Sequence, residues 1–400
     1  MKRLFVTLGL IAAAGCASAP QQQKVPPAPA PAPASYTPSY GFEMGKSPVG
    51  VIPSAMLHDG ARNKNVEVSI EYPTRGTGPF PIIIFSHGYG GSDHGYEALI
   101  SYWTSYGYVC IRPSHADAGA LKDAMSDLLA MRRDQAANNR QRQRQPANTN
   151  AQTQAKPRPN AAEMIWERER EQQWRDRVAD VVLVLDSLND LEKDYPELKG
   201  KMDHARIGVG GHSYGAFTSM LTAGAKTFST PPLALADARV KAMIAMSPQG
   251  VSANRGLTAD SWHDVKVPAM YMTGSRDYGA NETEGPDWHR LAFDHSPAGD
   301  KYFVLIKGAT HMTFTGMSSG LGEQFQQRPE APITDPRTGQ VLNPGYQQDQ
   351  GAPQITDRGT FASIRSISLM FWDSYLKDKK EAKVLLDPTK YSGSVEFVRK

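Results

Sequence analysis

The sequence predicts an α/β fold with a mostly parallel central sheet, helices on both faces and two long loop insertions. Six short runs rich in Val, Ile and Met, each closed by Gly, Pro or Ser, have the composition of buried parallel strands. These runs lie at 79–86, 107–114, 206–210, 240–247, 267–273 and 302–307. Helical patterns separate several of them, and the alternation of strand with helix is typical of a parallel sheet.

Two segments have the 3.6-residue period of helices that pack one face on a sheet. The first apolar stripe consists of Trp174, Val178, Val181, Val182 and Leu185, with charged residues interleaved at Arg175, Arg177 and Asp180. The last helix places on one face Phe361, Ile364, Ile367, Phe371 and Tyr375. Nearer the N-terminus, residues 66–72 alternate apolar and polar side chains, which predicts an antiparallel strand at the sheet's edge.

The composition favours one folded domain, 41–400, over a disordered or nucleic-acid-binding chain. Of the 400 residues 40% are hydrophobic, and 44 Lys and Arg face 41 Asp and Glu, for a net charge of +3. This near balance lacks the broad basic face that nucleic acid requires, so no nucleic-acid partner is expected. Within the domain, a polar stretch at 132–162 and a Gly-, Pro- and Gln-rich stretch at 318–358 are predicted to be loop insertions.

The first residues have the features of a bacterial lipoprotein signal peptide, which we assign to 1–15. A short basic start precedes an apolar stretch at 4–14 that is too short to span a bilayer as a helix. Small residues then precede Cys16 as in a lipobox, so Cys16 is the predicted lipidation site. The next residue is Ala17. By resemblance to the sorting pattern of Gram-negative lipoproteins, in which Asp at this position retains the protein in the inner membrane, Ala17 favours the outer membrane. The alternative is a secretory signal cleaved after Ala17 or Ala19, giving a periplasmic or secreted protein.

Residues 16–40 are rich in Pro, Ala and Gln and predict a tether between the anchor and the domain. Proline favours the extended polyproline II conformation, in which about 24 residues at ~3.1 Å each reach ~70 Å. The tether would hold the domain clear of the lipid surface.

The chain has two cysteines. If Cys16 carries lipid, Cys110 has no cysteine partner, so no disulfide is expected. The apolar run around Cys110 predicts a buried thiol.

The clearest catalytic motif is a G-x-S-x-G pentapeptide centred on Ser213. A predicted strand runs directly into it, and apolar residues continue it as a helix. A nucleophile on such a strained turn needs small residues two before and two after it, here Gly211 and Gly215. A second match, centred on Ser318, has no strand before it and lies in the Gln-rich stretch. The sequence context therefore selects Ser213.

A serine that transfers an acyl group needs a base to take its proton and an acid to orient that base. The loop after the fifth predicted strand offers Asp277 as the acid, and the loop after the sixth offers His311 as the base. The alternatives left open are Asp287 or Asp294 for the acid and His289 or His295 for the base.

An oxyanion hole is the third requirement, and losing one of its donors costs roughly 3–4 kcal/mol. The backbone N–H of Tyr214, directly after the nucleophile, is one candidate donor. The glycine-rich loop after the first inner strand supplies the other, for which we favour the N–H of Tyr89. No Lys-Ser/Thr follows this loop and no G-x-G-x-x-G fingerprint follows the strand, so neither a P-loop nor a dinucleotide site is predicted.

A group of possible metal ligands lies close together in sequence: His87, Asp93, His94, His115 and Asp117. The group has neither H-E-x-x-H nor Cys/His spacing. We therefore expect no metal and no cofactor.

Together these motifs resemble the α/β-hydrolase serine esterases. The resemblance is carried by F-S-H-G-Y-G-G at 85–91, the G-x-S-x-G motif, G-S-R-D at 274–277 and His311. It is closest to the branch of dienelactone hydrolase-like proteins, chlorophyllases and platelet-activating-factor acetylhydrolases, which W-R-D-R at 174–177 also resembles. Dienelactone hydrolases proper use a cysteine nucleophile, so the serine argues against that reaction. Both insertions depart from the branch, and substrate identity does not carry over.

The motifs and the resemblance predict a serine carboxylic ester hydrolase of the bacterial envelope that works through an acyl-enzyme intermediate. The expected partners are a small-molecule, lipid or polymer ester and, through the lipid anchor, a membrane. Phospholipid deacetylation and polyester hydrolysis are both open. The alternative functions are a serine peptidase on the same fold and a non-catalytic binding lipoprotein of the envelope.

Overall fold

Strands and helices alternate along the chain in the predicted order. The computed structural model of the protein describes residues 40–41, 43–119, 171–228, 232–279, 283–316, 333–334, 341–343 and 357–400. All of these belong to one unit, Ala34–Lys400. The predicted signal peptide, Cys16, the tether before residue 40 and the insertion at 132–162 lie outside the described residues.

The described strands are β1 Val49–Asp59, β2 Lys64–Pro73, β3 Phe80–Ser86, β4 Val109–Pro113, β5 Met202–His212, β6 Lys226–Thr227, β7 Leu233–Ala234, β8 Val240–Met246, β9 Ala269–Arg276, β10 Lys301–Thr310, β11 Ile333–Thr334, β12 Val341–Asn343 and β13 Val395–Arg399. The described α-helices are α1 Glu97–Ser105, α2 Glu171–Asp186, α3 Leu188–Asp194, α4 Tyr214–Thr222, α5 Pro286–Asp294, α6 Asp357–Leu376 and α7 Lys380–Leu385. A short 3-10 turn, His311–Thr315, follows β10 directly.

Nine strands form one sheet in the order β1-β2-β4-β3-β5-β8-β9-β10-β13. The strands from β4 to β10 in this order are parallel to one another. The remaining three, β1, β2 and β13, pair antiparallel. The prediction of a mostly parallel sheet is therefore confirmed.

The structure corrects the predicted edge of this sheet. The strand predicted at 66–72 is β2, but it lies inside β1, which forms the true edge. The sequence missed β1 because a bulge between Ile52 and Ala55 breaks its apolar–polar alternation. The opposite edge is β13, which the sequence also missed because five residues are too few for a clear pattern.

Helices cover both faces of the sheet, as predicted. Successive side chains of β3 point to opposite faces: Ile82 and Ile84 pack in the apolar cluster that contains α2 and α4, whereas Ile83 and Phe85 pack in the cluster that contains α1 and α6. Cys110 lies in the second cluster, and burial raises the pKa of its thiol to about 12. The prediction of a buried thiol is confirmed.

Two local predictions need correction. Arg177 and Asp180 were expected among the polar residues of α2, yet they are only 2% and 0% exposed. Their burial is possible because other loops supply charged and polar partners. In addition, β11 and β12 pair antiparallel within the stretch at 318–358 that was predicted to be loop.

No helix within the described ranges is both long and apolar enough to cross a membrane.

The parallel strands end at one edge of the sheet. Ser86, the last residue of β3, pairs with Gly211 of β5. Thr310, the last residue of β10, pairs with Arg276 of β9. The residues that directly follow β3, β5, β8, β9 and β10 are His87, Ser213, Ser247, Asp277 and His311. Because ligand sites of such sheets lie at the carboxyl ends of the strands, this edge is the candidate site.

Candidate active site

Ser213 occupies the sharp turn between β5 and α4. Its backbone adopts φ 55° and ψ −119°, in a positive-φ region that costs a non-glycine residue about 1–3 kcal/mol. A Cβ on Gly211 would lie 2.2 Å from the carbonyl oxygen of Gly215. A Cβ on Gly215 would lie 1.9 Å from the carbonyl oxygen of Ser86. The turn therefore excludes side chains at both glycines and holds Ser213, half-buried, at the positive end of a helix.

Asp277 and His311 meet at the ends of β9 and β10. Nδ1 of His311 donates a hydrogen bond of 2.8 Å to Oδ1 of Asp277. The two loops approach closely, since a Cβ on Gly274 would lie 2.1 Å from the carbonyl oxygen of Ala309. Because Nδ1 carries the shared proton, neutral His311 has its lone pair on Nε2, the atom that a general base uses.

Four side chains surround the fully buried carboxylate of Asp277. Ser247 and Thr273 donate hydroxyl hydrogen bonds to its Oδ2 at 2.6 and 2.9 Å. Its Oδ1, which accepts from His311, also lies 3.4 Å from Nε2 of His289. Burial acts to raise the pKa of Asp277, but His289 and His311 outweigh burial and hold the pKa well below its usual range. Asp277 is therefore an ionised acceptor.

The other candidate residues lie elsewhere or face other partners. Asp287 and Asp294 are exposed on α5, and Asp294 pairs with an arginine of its own helix at 3.2 Å. His295 stacks on Trp262, with 6.1 Å between the ring centroids. Ser318 lies outside the described residues.

His212, which the sequence places beside the nucleophile, packs against His311 with 4.5 Å between the ring centroids. The hydroxyl of Tyr96 accepts from the N–H of Gly88 at 3.1 Å, so its own proton is directed to Nδ1 of His212 at 2.9 Å. Burial holds the pKa of His212 well below its usual range. Neutral His212 thus links His311 to the glycine-rich loop.

Three N–H groups of the loop after β3 already have acceptors within the protein. These are Gly88 to Tyr96 Oη at 3.1 Å, Gly90 to Asp117 Oδ2 at 3.0 Å and Gly91 to the Gly88 carbonyl at 3.0 Å. Among the described residues, no acceptor receives the N–H of Tyr89. The ring of Tyr89 lies 6.1 Å from that of Tyr214, the first residue of α4. Tyr89 and Tyr214, whose N–H groups are the two predicted oxyanion donors, are therefore neighbours in space.

A buried arginine joins the two elements that carry these donors. Arg177 of α2 donates to the carbonyl oxygen of His87 and, at 2.5 Å, to Oδ1 of Asp117. Its guanidinium lies over the ring of Tyr214, 4.4 Å from the centroid, and its Nε donates to Thr218 at 3.0 Å. Burial acts against ionisation of Asp117, but Arg177, His87 and the N–H of Gly90 together outweigh burial and lower the pKa. The ion pair ties the glycine-rich loop to the start of α4.

Two of the three histidines weighed as metal ligands, His87 and His115, belong to the same network, whereas His94 is exposed beside Asp93. The N–H of His115 donates to Nε2 of His87 at 3.1 Å, so the proton of His87 lies on Nδ1, which donates to the Gly88 carbonyl at 2.6 Å. Burial and the charge of Arg177 lower the pKa of His87 to about 4. Nε2 of His115 contacts Ser86 Oγ at 3.1 Å. These rings support the loop as neutral hydrogen-bonding groups.

One group of metal-ligand type occurs in the described part of the chain: Asp277, His289 and His311, whose ligand atoms lie within 4.8 Å of one another. Asp277 Oδ1 and His311 Nδ1 are 2.8 Å apart. Ligands of a tetrahedral zinc ion with bonds of about 2.0 Å are separated by about 3.3 Å. The shorter distance fits a shared proton, so the arrangement suits a hydrogen bond better than a metal.

Replacing Arg177 is expected to damage catalysis and stability together. In Arg177→Met the buried carboxylate of Asp117 loses its cationic partner, which costs about 3–5 kcal/mol of unfolding free energy. The freed loop is expected to lower kcat for an ester substrate about 10²- to 10³-fold. Steady-state kinetics at a temperature where circular dichroism shows a folded variant checks this.

The matched control is Arg175→Met on the same helix. Arg175 is half-exposed and pairs with Glu171 at 2.8 Å one turn away. Its loss is expected to change stability by less than about 1 kcal/mol and to leave kcat unchanged. Equal kinetics in the two folded variants would contradict the role assigned to Arg177.

The doubly covered, mostly parallel sheet and the strand-to-helix turn at Ser213, followed along the chain by Asp277 and His311, define an α/β-hydrolase. Residues 51–230 match a family described as platelet-activating factor acetylhydrolase, isoform II. This match confirms the predicted resemblance and includes Ser213 and the glycine-rich loop. Platelet-activating factor acetylhydrolase of Cavia porcellus is 21% identical over 270 residues, which cover 65% of this chain and 55% of that protein. The chain thus spans about half the length of this curated relative.

Proposed function

We propose that the protein is a serine hydrolase of carboxylic esters, with Ser213 as nucleophile, His311 as base and Asp277 as the acid that orients it. The observation that carries the proposal is the 2.8 Å hydrogen bond from His311 Nδ1 to the ionised, buried Asp277, at the sheet edge where Ser213 is held. It leaves His311 Nε2 to accept a proton, which is the role that a triad histidine performs.

The reaction follows from these roles. His311 takes the proton of Ser213 as the hydroxyl oxygen attacks the ester carbonyl, and the N–H groups of Tyr89 and Tyr214 receive the oxyanion. His311 then gives the proton to the leaving alcohol, and the acyl group stays on Ser213. Water, deprotonated by His311, attacks the acyl-enzyme and releases the carboxylic acid.

We propose a short-chain acyl ester of a glycerophospholipid as the substrate class. The support is the matching family and the relative from Cavia porcellus, both of which are described as acetylhydrolases of platelet-activating factor. The half-buried ring of Tyr89 borders the proposed oxyanion donors, and Tyr278, directly after Asp277, is 42% exposed. Aromatic rings provide an apolar surface with a polar edge, which suits a lipid ester.

We also propose that the protein is exported and anchored by lipid on Cys16, at the outer membrane. The only support for this part of the proposal is the sequence of residues 1–17. Labelling of expressing cells with radioactive palmitate is expected to mark the wild type and to miss Cys16→Ser. Equal labelling of both would contradict the anchor.

A panel of esters tests the activity and the substrate class. The detergent-solubilised full chain is expected to hydrolyse p-nitrophenyl acetate and butyrate faster than the palmitate ester. It is also expected to release acetate from a phosphatidylcholine that carries acetyl at the sn-2 position. A folded protein without ester turnover would contradict the proposal and favour a peptidase or a binding protein. A preference for palmitoyl esters would contradict the short-chain assignment only.

A further inference from the structure

Asp277 has a second histidine partner that the triad does not use. His289 of α5 is 1% exposed, and its Nε2 lies 3.4 Å from Oδ1 of Asp277, the oxygen that accepts from His311. Its Nδ1 lies 2.5 Å from the carbonyl oxygen of Pro248. Both ring nitrogens of His289 therefore face oxygen atoms of the protein.

The contact with Pro248 places a proton on Nδ1 of His289, and the contact with Asp277 favours a second proton on Nε2. A carbonyl oxygen only accepts, so Nδ1 of His289 carries a hydrogen that points to Pro248. In the neutral ring Nε2 would then aim its lone pair at the ionised carboxylate of Asp277, which is repulsive in a buried site. In the imidazolium, Nε2 carries a proton as well, and the contact becomes an ion pair.

Electrostatics agrees with the geometry. Burial acts to lower the pKa of His289, but Asp277, with smaller contributions from the Pro248 carbonyl and Glu284, outweighs burial and raises the pKa above its ordinary value. After burial, which acts the other way, His289 is the strongest influence on Asp277 and lowers its pKa.

Three other titratable groups lie near His289, and none of them disfavours its protonation. Glu284 favours the charged ring and pairs with Arg255 at 2.9 Å. His212 is neutral, because burial lowers its pKa. His311 shares the carboxylate with His289 and faces it across Oδ1. Ionised Asp277 and protonated His289 together carry no net charge.

We propose that His289 is a protonated positioning residue that shares Asp277 with His311. It keeps the acid ionised and oriented, and its charge offsets part of the negative charge that Asp277 presents to His311. As a result we expect the acidic limb of the pH–rate profile to lie at lower pH than it would with a carboxylate that His289 did not share. This inference rests on the proposed triad.

His289→Gln tests it because glutamine can hydrogen bond to Asp277 without carrying a charge. The midpoint of the acidic limb of kcat/KM against pH is expected to move upward by about one pH unit. His295→Gln, a histidine at the end of the same helix that stacks on Trp262, is the matched control and should keep the wild-type midpoint. If His289→Gln lowers the plateau of kcat/KM but leaves the midpoint of the acidic limb unchanged, His289 has only a structural role and the proposal is overturned.

A second measurement needs no enzymatic activity: unfolding free energy against pH for the wild type and His289→Gln. The pKa of folded His289 is raised, so its stabilisation is complete below its ordinary value of 6.5 and is lost as pH rises through the folded pKa. The pKa of Asp277 is depressed, so its share persists above its ordinary 3.8 and is lost as pH falls further. The wild-type advantage should therefore be greatest between about pH 4 and 6.5 and shrink above.

A stability difference that is independent of pH between these limits and pH 9 would overturn the proposal. If the stability difference depends on pH as predicted but the wild type hydrolyses no ester, the shared ion pair is supported and the proposed function is contradicted. If the variant does not fold, histidine ¹⁵N NMR of the wild type decides the point. A buried ring with both nitrogens protonated at pH 7 supports the proposal, and buried rings protonated on a single nitrogen contradict it.

Discussion

Ser213→Ala is expected to lower kcat for p-nitrophenyl acetate by about five to six orders of magnitude. Alanine removes the attacking oxygen and leaves the residual rate of the oxyanion hole and of binding. The backbone of Ser213 is held by its donation to the Met246 carbonyl at 2.9 Å, a bond that the substitution keeps. The variant should therefore fold, and its far-UV spectrum and melting temperature should match the wild type.

Ser318→Ala is the matched control, since Ser318 is the centre of the second G-x-S-x-G match. It is expected to keep wild-type kcat and KM. Loss of turnover in Ser318→Ala with full turnover in Ser213→Ala would transfer the nucleophile to the other motif and contradict the site.

Asp277→Asn is expected to lower kcat about 10⁴-fold with little change in KM. The carboxylate is fully buried and accepts from Ser247, Thr273 and His311. An amide group in its place turns one acceptor oxygen into a donor. If that donor faces His311, the ring keeps its proton on Nε2 and cannot take one from Ser213.

Steady-state kinetics from pH 6 to 9 checks this prediction, with Asp287→Asn as the control. Asp287 was an alternative acid in the sequence and is exposed in the first turn of α5. Its variant should match the wild type at every pH. A wild-type kcat in folded Asp277→Asn would remove Asp277 from the triad.

The parallel sheet and the sharp turn at Ser213 were predictable because their signals are local. Buried parallel strands read as continuous apolar runs, and the turn at Ser213 leaves no space for a Cβ at Gly211 or Gly215. Asp277 and His311 were selected by the same logic, and in the structure each directly follows a strand.

The charged network behind the glycine-rich loop was not predictable because its partners come from separate segments. Arg177 and Asp117 are 60 residues apart, and the segment between them includes the polar insertion. One signal was present: Arg177 lies three residues after Trp174, in phase with the apolar stripe of α2 rather than opposite to it. A charge in that phase indicates a buried partner.

His289 shows a different limit. The sequence offered it as a substitute for His311, because a histidine near an aspartate is a reasonable base. Only the structure distinguishes the two, since Nδ1 of His289 is committed to the Pro248 carbonyl and its Nε2 faces Asp277. The nitrogen of His289 that has no hydrogen-bond partner thus faces the carboxylate of Asp277.

The most direct test of the central claim is covalent labelling with a fluorophosphonate, followed by intact-mass and peptide mass spectrometry. Such reagents phosphonylate a serine only when a neighbouring base activates it. One adduct per chain on Ser213, absent from Ser213→Ala and strongly slowed in Asp277→Asn, is the predicted result. An unlabelled wild type, or an adduct on another residue that persists in Ser213→Ala, would contradict the account.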